Sequence, residues 1–164
     1  MVIFTKITPS DIPELCAMAE EIWKEHYYTC VDRALTDYVF ELFQSEESVK
    51  RQLDEGSRYY YAVLEDSGEK TGYFSIYPKE NKMYLSKLYL KKEFRGRGIS
   101  KDIIDFVKSE AKKEDLNEIF LNVNRKNTSS IEAYKHLGFE ILRECNEPMG
   151  DGFTCEDYIM GMRF

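Results

Sequence analysis

Residues 88–100 have the sequence LYLKKEFRGRGIS and carry the strongest structural signal in the chain. The first three residues continue an apolar strand, and Arg95–Ser100 follows as a basic turn with two glycines. Glycine leaves backbone N–H groups accessible, and a helix beginning here would add its own unpaired N–H groups and the positive end of its dipole. Phosphate groups bind well at such helix starts. The segment therefore predicts an anion site, and it concentrates five cations: Lys91, Lys92, Arg95, Arg97 and Lys101.

The composition indicates one globular domain spanning residues 1–164, because 43% of the residues are hydrophobic and can form a core. A net charge of −7 argues against nucleic acid as the main partner. Residues 10–60 hold twelve acidic and five basic side chains, a net of −7 within that stretch alone. An acidic N-terminal part beside a basic turn suggests two ligands of opposite charge, and a solvated acidic surface is the alternative interpretation.

The cysteines and histidines predict no metal site. Four cysteines form no CxxC pair, and the only imidazoles are His26 and His136. The first residues lack the apolar core of a signal peptide, and no apolar run approaches the length of a membrane span. We therefore expect a cytoplasmic protein with reduced thiols and no membrane partner.

Hydrophobic periodicity and turn residues predict a mixed α+β domain in the order β-α-α-β-β-β-α-β-α-β-β. Strands are expected at 2–8, 58–65, 71–77, 83–90, 117–124, 140–147 and 154–163. Helices are expected at 12–23, at 30–44, after the basic turn and at 129–136, with a short helix between Ser45 and Gly56. Turns are predicted at 78–82 and 148–152.

Two motifs in these positions resemble those of the GNAT superfamily of N-acetyltransferases, and the resemblance covers nearly the whole chain. The family pattern Gln/Arg-x-x-Gly-x-Gly/Ala corresponds to Arg95-Gly96-Arg97-Gly98-Ile99-Ser100, with a small serine in the last place. The pattern Asn-x6-Tyr-x3-Gly-Phe corresponds to Asn127, Tyr134 and Gly138-Phe139. The resemblance implies a mixed, mostly antiparallel sheet of about seven strands flanked by four or so helices.

By this resemblance the cosubstrate is acetyl-CoA. Its pantetheine arm would pair with the backbone of the fourth strand at Leu88, Tyr89 and Leu90. Asn127 would lie close to that arm, and Tyr134 near the thioester sulfur. The pyrophosphate would bind the backbone amides of Arg95, Gly96, Arg97, Gly98, Ile99, Ser100 and Lys101.

Acetyl transfer requires a neutral amine. Deprotonating a lysine-like amine at pH 7 costs about 4.6 kcal/mol, so a proton acceptor, a desolvating pocket or a water chain is needed. Family members often carry an acid on the fourth strand, but MYLSKLYL contains none. The candidate bases are Glu25, His26, or bulk solvent reached through ordered water.

Tyr134 is the candidate general acid for the departing sulfur. Full proton transfer from a tyrosine to a thiolate is uphill by roughly 2 kcal/mol, so a hydrogen bond that stabilises the thiolate is the expected role. A packed aromatic on an amphipathic helix is the alternative. The amides of Leu88 or Leu90 are candidates to polarise the thioester carbonyl.

The acceptor is expected to be a primary amine on a small cation, acetylated directly in a ternary complex. In the family, the first two helices and the last loop shape this site, and here they suggest Tyr27, Tyr28 and Asp151 as acceptor-binding residues. The tail GDGFTCEDYIMGMRF resembles that of bacterial spermidine/spermine acetyltransferases, which favours a polyamine.

Several alternatives stay open from the sequence. The acceptor could instead be the α-amine of a peptide or protein, and a GNAT-like domain could bind CoA as a sensor without turnover. A Walker-type nucleotide site is disfavoured because the turn lacks a Gly-Lys-Ser/Thr ending. Since many relatives dimerise, a homodimer is a further possibility.

Overall fold

The computed structural model describes all residues from 1 to 164 and contains seven strands and five α-helices. Short 3-10 turns at Pro9–Asp11 and Lys92–Phe94 precede α1 and α4. The elements in chain order are β1 (Val2–Lys6), α1 (Ile12–Tyr27), α2 (Arg33–Gln44), α3 (Glu46–Asp54), β2 (Arg58–Leu64), β3 (Lys70–Lys79), β4 (Lys82–Leu90), α4 (Ile99–Lys113), β5 (Glu118–Asn124), α5 (Thr128–His136), β6 (Glu140–Gly150) and β7 (Phe153–Arg163).

The strands form one mixed sheet in the order β1-β2-β3-β4-β5-β7-β6. All neighbours are antiparallel except β4 and β5, which run parallel. The mostly antiparallel seven-stranded sheet predicted from the sequence is confirmed. The predicted order counts two helices between β1 and β2, and the structure has three because the short helix predicted between Ser45 and Gly56 is present as α3. Ser45 separates α2 from α3 because its extended backbone ends one helix while its side chain caps the next through the Ser48 amide.

The central strands of the sheet are buried on both faces, and β2 shows how the alternating direction of side chains achieves this. Tyr59 and Tyr61 pack toward α1 and α3, whereas Tyr60 and Ala62 pack toward α4. All four side chains are buried. Successive strand residues point to opposite faces, so the aromatic run serves two cores.

Two predicted turns are shorter in the structure than in the sequence interpretation. The β3–β4 turn consists of Glu80 and Asn81, both with positive φ, and Pro78 lies within β3. β6 likewise continues through Pro148 to Gly150. Proline is tolerated at both places because β6 is an edge strand and β3 has lost its β2 neighbour beyond Ile76.

A bulge in β4 separates that strand from β5. Ser75 is opposite Lys87 and Ile76 is opposite Leu85, so Ser86 is an extra residue in the ladder. The Ser86 hydroxyl is hydrogen-bonded to the hydroxyl of Ser75 and donates to its carbonyl at 3.2 Å. β4 pairs with β5 only before the bulge, at Met83 and Tyr84, and the two strands then diverge.

Gly72 on β3 holds the diverging end of β4 in place. A Cβ at this position would lie 2.1 Å from the carbonyl oxygen of Tyr89 and 2.9 Å from Cα of Leu90. Both are backbone atoms, so β4 would have to move to accommodate any side chain at residue 72.

We expect Gly72→Ala to lower the free energy of unfolding by about 1–3 kcal/mol through overpacking. It should also weaken acetyl-CoA binding, because the displaced residues form one wall of the cleft described below. Urea unfolding and calorimetric titration measure the two effects. Gly56→Ala is the control. Its φ of +104° strains an alanine, but no atom lies within 4 Å of the added Cβ, so the substitution destabilises the fold without displacing β4. Equal losses of cosubstrate affinity in both variants would contradict this account of Gly72.

Candidate active site

The divergence of β4 and β5 opens a cleft of about 420 Å³, called the β4–β5 cleft. One wall is the end of β4, and the other is formed by Leu121–Val123 of β5. Residues at the start of α4 and along α5 close the cleft at its ends, including Gly96, Ser100 and Tyr134. The cleft thus brings both sequence motifs to one place.

The start of α4 presents a row of free backbone donors. The amides of residues 96–101 donate to no acceptor in the protein. Side-chain caps occupy the starts of α2, α3 and α5, but α4 has none, because its N-cap is Gly98 with a φ of +81°. Free amides at a helix N-terminus match the requirements of a phosphate group.

The cations around this helix start divide into two groups. Arg95 is anchored: its Nε donates to the Leu90 carbonyl at 3.1 Å and its guanidinium pairs with Glu25 at 2.8 Å. Lys101 pairs with Asp105 at 2.9 Å within the helix. The other three, Lys91, Lys92 and Arg97, form no ion pair within the protein, so they are free for an anionic ligand.

The edge of β4 that faces the cleft also carries free backbone groups. The Lys91 amide donates to the Thr71 carbonyl, so Lys91 and Thr71 form a hydrogen-bonded pair of the β3–β4 ladder. Hydrogen-bonded and non-hydrogen-bonded pairs alternate along such a ladder. Leu88 and Leu90 are then the non-hydrogen-bonded residues of that ladder, and their N–H and C=O groups point toward the cleft. The Leu90 C=O accepts from Arg95 Nε, so the free groups are both N–H groups and the Leu88 C=O. An extended ligand can pair with this edge as a short additional strand.

Asn127 connects α5 to the end of α1. It is 2% exposed and begins α5, with its Oδ1 accepting from the Ser130 amide at 3.4 Å. The same oxygen accepts from His26 Nε2 at 2.9 Å. An amide oxygen can only accept, so Nε2 carries the proton in this contact. His26 and Asn127 both line the β4–β5 cleft.

Tyr134 lies on α5 in the wall of the cleft and packs edge-on against Phe139, with ring centroids 5.6 Å apart. Burial raises the pKa of its hydroxyl above the ordinary value, and no hydrogen bond within the protein offsets this effect. The hydroxyl is therefore protonated at neutral pH and free to donate to a ligand in the cleft.

A second cavity of about 570 Å³ lies beneath α2 and is called the α2 cavity. Val31, Leu35 and Val39 form its apolar roof, and α3, β3 and the β6–β7 hairpin contribute the other walls. The Tyr38 hydroxyl donates to the Met149 carbonyl at 2.8 Å, which ties the roof to the hairpin. Helix and hairpin therefore enclose the cavity together.

The two cavities meet where β4 and β5 diverge. Six residues line both of them: Tyr27, Ser86, Lys87, Tyr89, Asn122 and Val123. Tyr27 is half-buried, and desolvation of its hydroxyl raises its pKa to about 12. A group bound in one cavity can thus contact a group bound in the other at this junction.

Three carboxylates line the α2 cavity without ion pairs: Glu55, Glu147 and Asp157. Asp157 on β7 accepts from Asn122 Nδ2 at 3.4 Å, close to the junction. Burial raises the pKa of this carboxyl above its usual range, and nearby Glu147 adds to the effect, while Asn122 and Arg125 oppose it. A bound cation would relieve the cost of burying this charge.

Lys87 is the second unusual titratable group at the junction. It lies on β4, is 6% exposed and forms no salt bridge. Burial lowers the pKa of its amine to about 7. The sequence alone did not reveal this residue, because a lysine in a strand usually keeps its charged end in solvent.

The predicted site residues do not all come together. Leu88, Tyr89, Leu90, Asn127 and Tyr134 line the β4–β5 cleft, as do Arg95, Gly96 and Ser100 at the start of α4. Tyr27 lines both cavities. Seven predicted residues line neither cavity. Arg97, Gly98, Ile99 and Lys101 belong to the turn and the first residues of α4. Glu25 pairs with Arg95, Tyr28 donates to Asp37, and Asp151 is exposed in the β6–β7 turn.

Residues 15–139 match the family model described as acetyltransferase (GNAT) family, and the chain belongs to this family. It is an N-acetyltransferase, and its cosubstrate is acetyl-CoA. The open helix start, the free edge of β4 and the cleft between them fit this cosubstrate. No helix has the combination of length and apolar composition needed to cross a membrane.

Solved structures with the same fold include three informative ones. The PaiA N-acetyltransferase of Thermoplasma acidophilum, in complex with coenzyme A, has a TM-score of 0.79 at 22% identity over 100% of this chain and 99% of that chain. The ribosomal-protein-alanine N-acetyltransferase of Brucella melitensis has a TM-score of 0.66 at 18% identity over 99% of both chains. A mutant of the spermidine N-acetyltransferase SpeG of Vibrio cholerae has a TM-score of 0.68 at 13% identity over 99% of this chain and 93% of that chain. No curated protein sequence matches the chain.

We expect Gly98→Ala to weaken acetyl-CoA binding by a factor of about 5–30. Alanine at a φ of +81° costs about 1–2 kcal/mol, and relaxing that strain would turn the amides away from the ligand. Gly68→Ala is the matched control, because its φ of +74° imposes the same strain in the β2–β3 hairpin, away from the cleft. Isothermal titration gives both affinities, and an equal loss in the control would count against the amide site.

Proposed function

We propose that this enzyme transfers the acetyl group of acetyl-CoA to a primary amine of a small cationic acceptor, with a polyamine as the first candidate. The observation that carries the proposal is the α2 cavity, where three unpaired carboxylates border an apolar interior. A polyamine has cationic nitrogens separated by methylene segments, so its nitrogens can pair with these carboxylates while its methylenes contact the apolar residues.

Asp157 and Glu147 would bind the cationic acceptor near the junction. Asp157 lies next to Asn122, one of the residues shared by the two cavities. A carboxylate there would orient the amine toward the thioester and raise the local concentration of cations. Glu55, on the α3 side of the cavity, is available for a second nitrogen of the same acceptor.

On the cosubstrate side, we assign the free amides of residues 96–101 to the pyrophosphate and the free edge at Leu88 and Leu90 to the pantetheine arm. The bound cosubstrate supplies the activated acetyl group. The Leu88 or Leu90 amide would stabilise the negative charge that develops on the carbonyl oxygen. The protonated Tyr134 hydroxyl would donate a hydrogen bond to the leaving thiolate, and the reaction would proceed by direct transfer.

A second candidate acceptor is the α-amine of a peptide or amino acid. Arg51 and Lys79 also line the α2 cavity and form no ion pair within the protein, which favours an acceptor that carries a carboxylate. The four cysteines are free thiols, which is consistent with the cytoplasmic location that we propose for either reaction.

The first experiment measures CoA thiol release from acetyl-CoA with spermidine, spermine, putrescine, an aminoglycoside, a lysine peptide and peptides with a free α-amine. We expect the highest kcat/KM with a polyamine. Turnover restricted to α-amine peptides would replace the polyamine by the second candidate. Stoichiometric acetyl-CoA binding without turnover of any amine would instead indicate a sensor.

Tyr134→Phe should lower kcat about a hundredfold, because it removes the hydrogen bond that stabilises the leaving thiolate. The KM for acetyl-CoA should change little, since the ring and its contact with Phe139 are retained. Steady-state kinetics with the best amine of the panel measures both constants. A kcat within twofold of the wild type would reduce Tyr134 to a packing residue.

Asp157→Asn should raise the KM for a polyamine about tenfold or more while leaving the KM for acetyl-CoA unchanged. The substitution keeps the size of the side chain but removes the charge that attracts the acceptor. Arg51→Met is the comparison variant. It should leave the KM for a polyamine unchanged or lower that KM. It should raise the KM for an acceptor that carries a carboxylate. An unchanged acceptor KM in Asp157→Asn together with a raised acceptor KM in Arg51→Met would support the second candidate.

A further inference from the structure

The Lys87 amine lies in the wall of the α2 cavity, at its junction with the β4–β5 cleft. Its Nζ donates to the Phe43 carbonyl at 2.5 Å and to Gln52 Oε1 at 3.0 Å, and both partners line the α2 cavity. It also donates to the Tyr59 hydroxyl, which lies on the protein side of the amine. The amine is therefore between the cavity lining and β2.

The surroundings of Nζ are organised to receive a proton. Tyr59 donates its own hydroxyl proton to Gln52 at 2.6 Å, so its oxygen is available to accept from Lys87. The three acceptors match the three N–H groups of an ammonium. A neutral amine has only two N–H groups and a lone pair, so it leaves one acceptor unused. One of these acceptors, Phe43, belongs to the last turn of α2, where helix carbonyls favour a cation.

No carboxylate holds Lys87 permanently in its charged form. The titratable side chains near it or lining the α2 cavity come from every surrounding element: Cys16 and Tyr27 on α1, Arg51 on α3, Glu55 directly after α3, Tyr59 on β2, Tyr77 and Lys79 on β3, Tyr84 and Tyr89 on β4, Glu147 on β6, and Cys155 and Asp157 on β7. None of them forms an ion pair with the amine. Desolvation without a counter-ion brings the pKa of Lys87 to about 7, which allows exchange between both protonation states near neutral pH.

We propose that Lys87 is the proton acceptor that converts the bound ammonium of the acceptor into the nucleophilic amine. In this step an N–H bond of the acceptor ammonium breaks, its electron pair stays on the acceptor nitrogen, and the proton forms the third N–H bond of Lys87. The neutral amine, which uses only two of its three acceptors, rotates so that its lone pair faces the cavity and takes the proton directly or through one water. The ammonium then engages all three acceptors, and the proton is returned to solvent after turnover. The proposal rests on acetyl transfer to an amine and not on the acceptor being a polyamine.

This assignment answers the question raised by a fourth strand without an acid. Glu25 is paired with Arg95 and lines neither cavity, and His26 lines the β4–β5 cleft with its Nε2 bound to Asn127. Lys87 is the basic side chain that lines both cavities. It supplies on β4 the function for which relatives often use a carboxylate.

The test is the pH dependence of kcat/KM between pH 6 and 10.5 for the wild type, Lys87→Met and Lys87→Arg, with the best amine of the panel. Wild-type activity should rise through about pH 7, as Lys87 loses its proton, and then remain level until the acceptor amine itself deprotonates at about pH 10. Both variants should lose this plateau. Their kcat/KM should increase tenfold per pH unit up to about pH 10, because only the small neutral fraction of the acceptor can react.

At pH 7.5 the variants should be about a hundredfold or more below the wild type, and the difference should shrink toward pH 10. A purely structural lysine would give a different result: a pH-independent loss in Lys87→Met and recovery in Lys87→Arg, which keeps the charge. Either of these outcomes would overturn the proposal. Circular dichroism and acetyl-CoA titration establish that each variant is folded.

A measurement without acceptor separates this proposal from the polyamine assignment. In protein labelled with 13C at lysine Cε, one resonance that is missing from Lys87→Arg should titrate near pH 7 in the free enzyme. A titration above pH 9 would overturn the proposal even if spermidine is a good substrate. If only peptides are acetylated, the polyamine assignment fails, and the pH profiles with a peptide still decide the role of Lys87.

Discussion

The β4 bulge at Ser86 is the local feature on which the geometry of the site depends. β5 is held along its whole length by β7, so it cannot follow β4 when that strand turns away after Tyr84. The hydrogen bonds that two strands would normally exchange are consequently left unpaired within the protein. One extra residue therefore creates both a space and a set of backbone groups that can bind a ligand. The cleft therefore results from the divergence of β4 and β5 and not from the absence of a large side chain.

This divergence also accounts for the positions of Lys87 and Asp157, the two groups in the α2 cavity to which we assign roles at the acceptor amine. Lys87 follows the bulge directly, and the shift in register places it among groups from α2, α3 and β2. Asp157 belongs to the hairpin that holds β5 in place. The two sides of the opening therefore carry titratable groups of opposite type, the Lys87 amine on β4 and the Asp157 carboxyl on β7, the strand that pairs with β5. A neutral opening of the same size would not distinguish an amine from other ligands.

Much of the fold could be predicted from the sequence because its signals are local. The continuous aromatic and aliphatic run in Arg58–Leu64, the capping serine at residue 45 and the glycines before α4 are each sufficient to indicate their element. The two prolines were harder to interpret, since their tolerance at residues 78 and 148 depends on which strands lack a neighbour. The anion-binding turn and the Asn127–Tyr134 helix could be located from motifs, but Lys87 could not. The protonation state of Lys87 depends on burial by three elements that are distant from it in sequence. The residue pattern of β4 gives no indication of that environment.

The β6 strand has a consequence for the behaviour of the molecule in concentrated solution. It is eleven residues long and lies at the edge of the sheet, where exposed N–H and C=O groups could accept a strand from another copy. Four of its side chains are charged, Glu140, Arg143, Glu144 and Glu147, and Pro148 removes a donor near its end. Charges and proline on an edge strand oppose such pairing. The opposite edge, β1, is only five residues long. Both edges of the sheet are thus protected against aggregation, which leaves the enzyme free to expose a cleft of unpaired backbone groups in its centre.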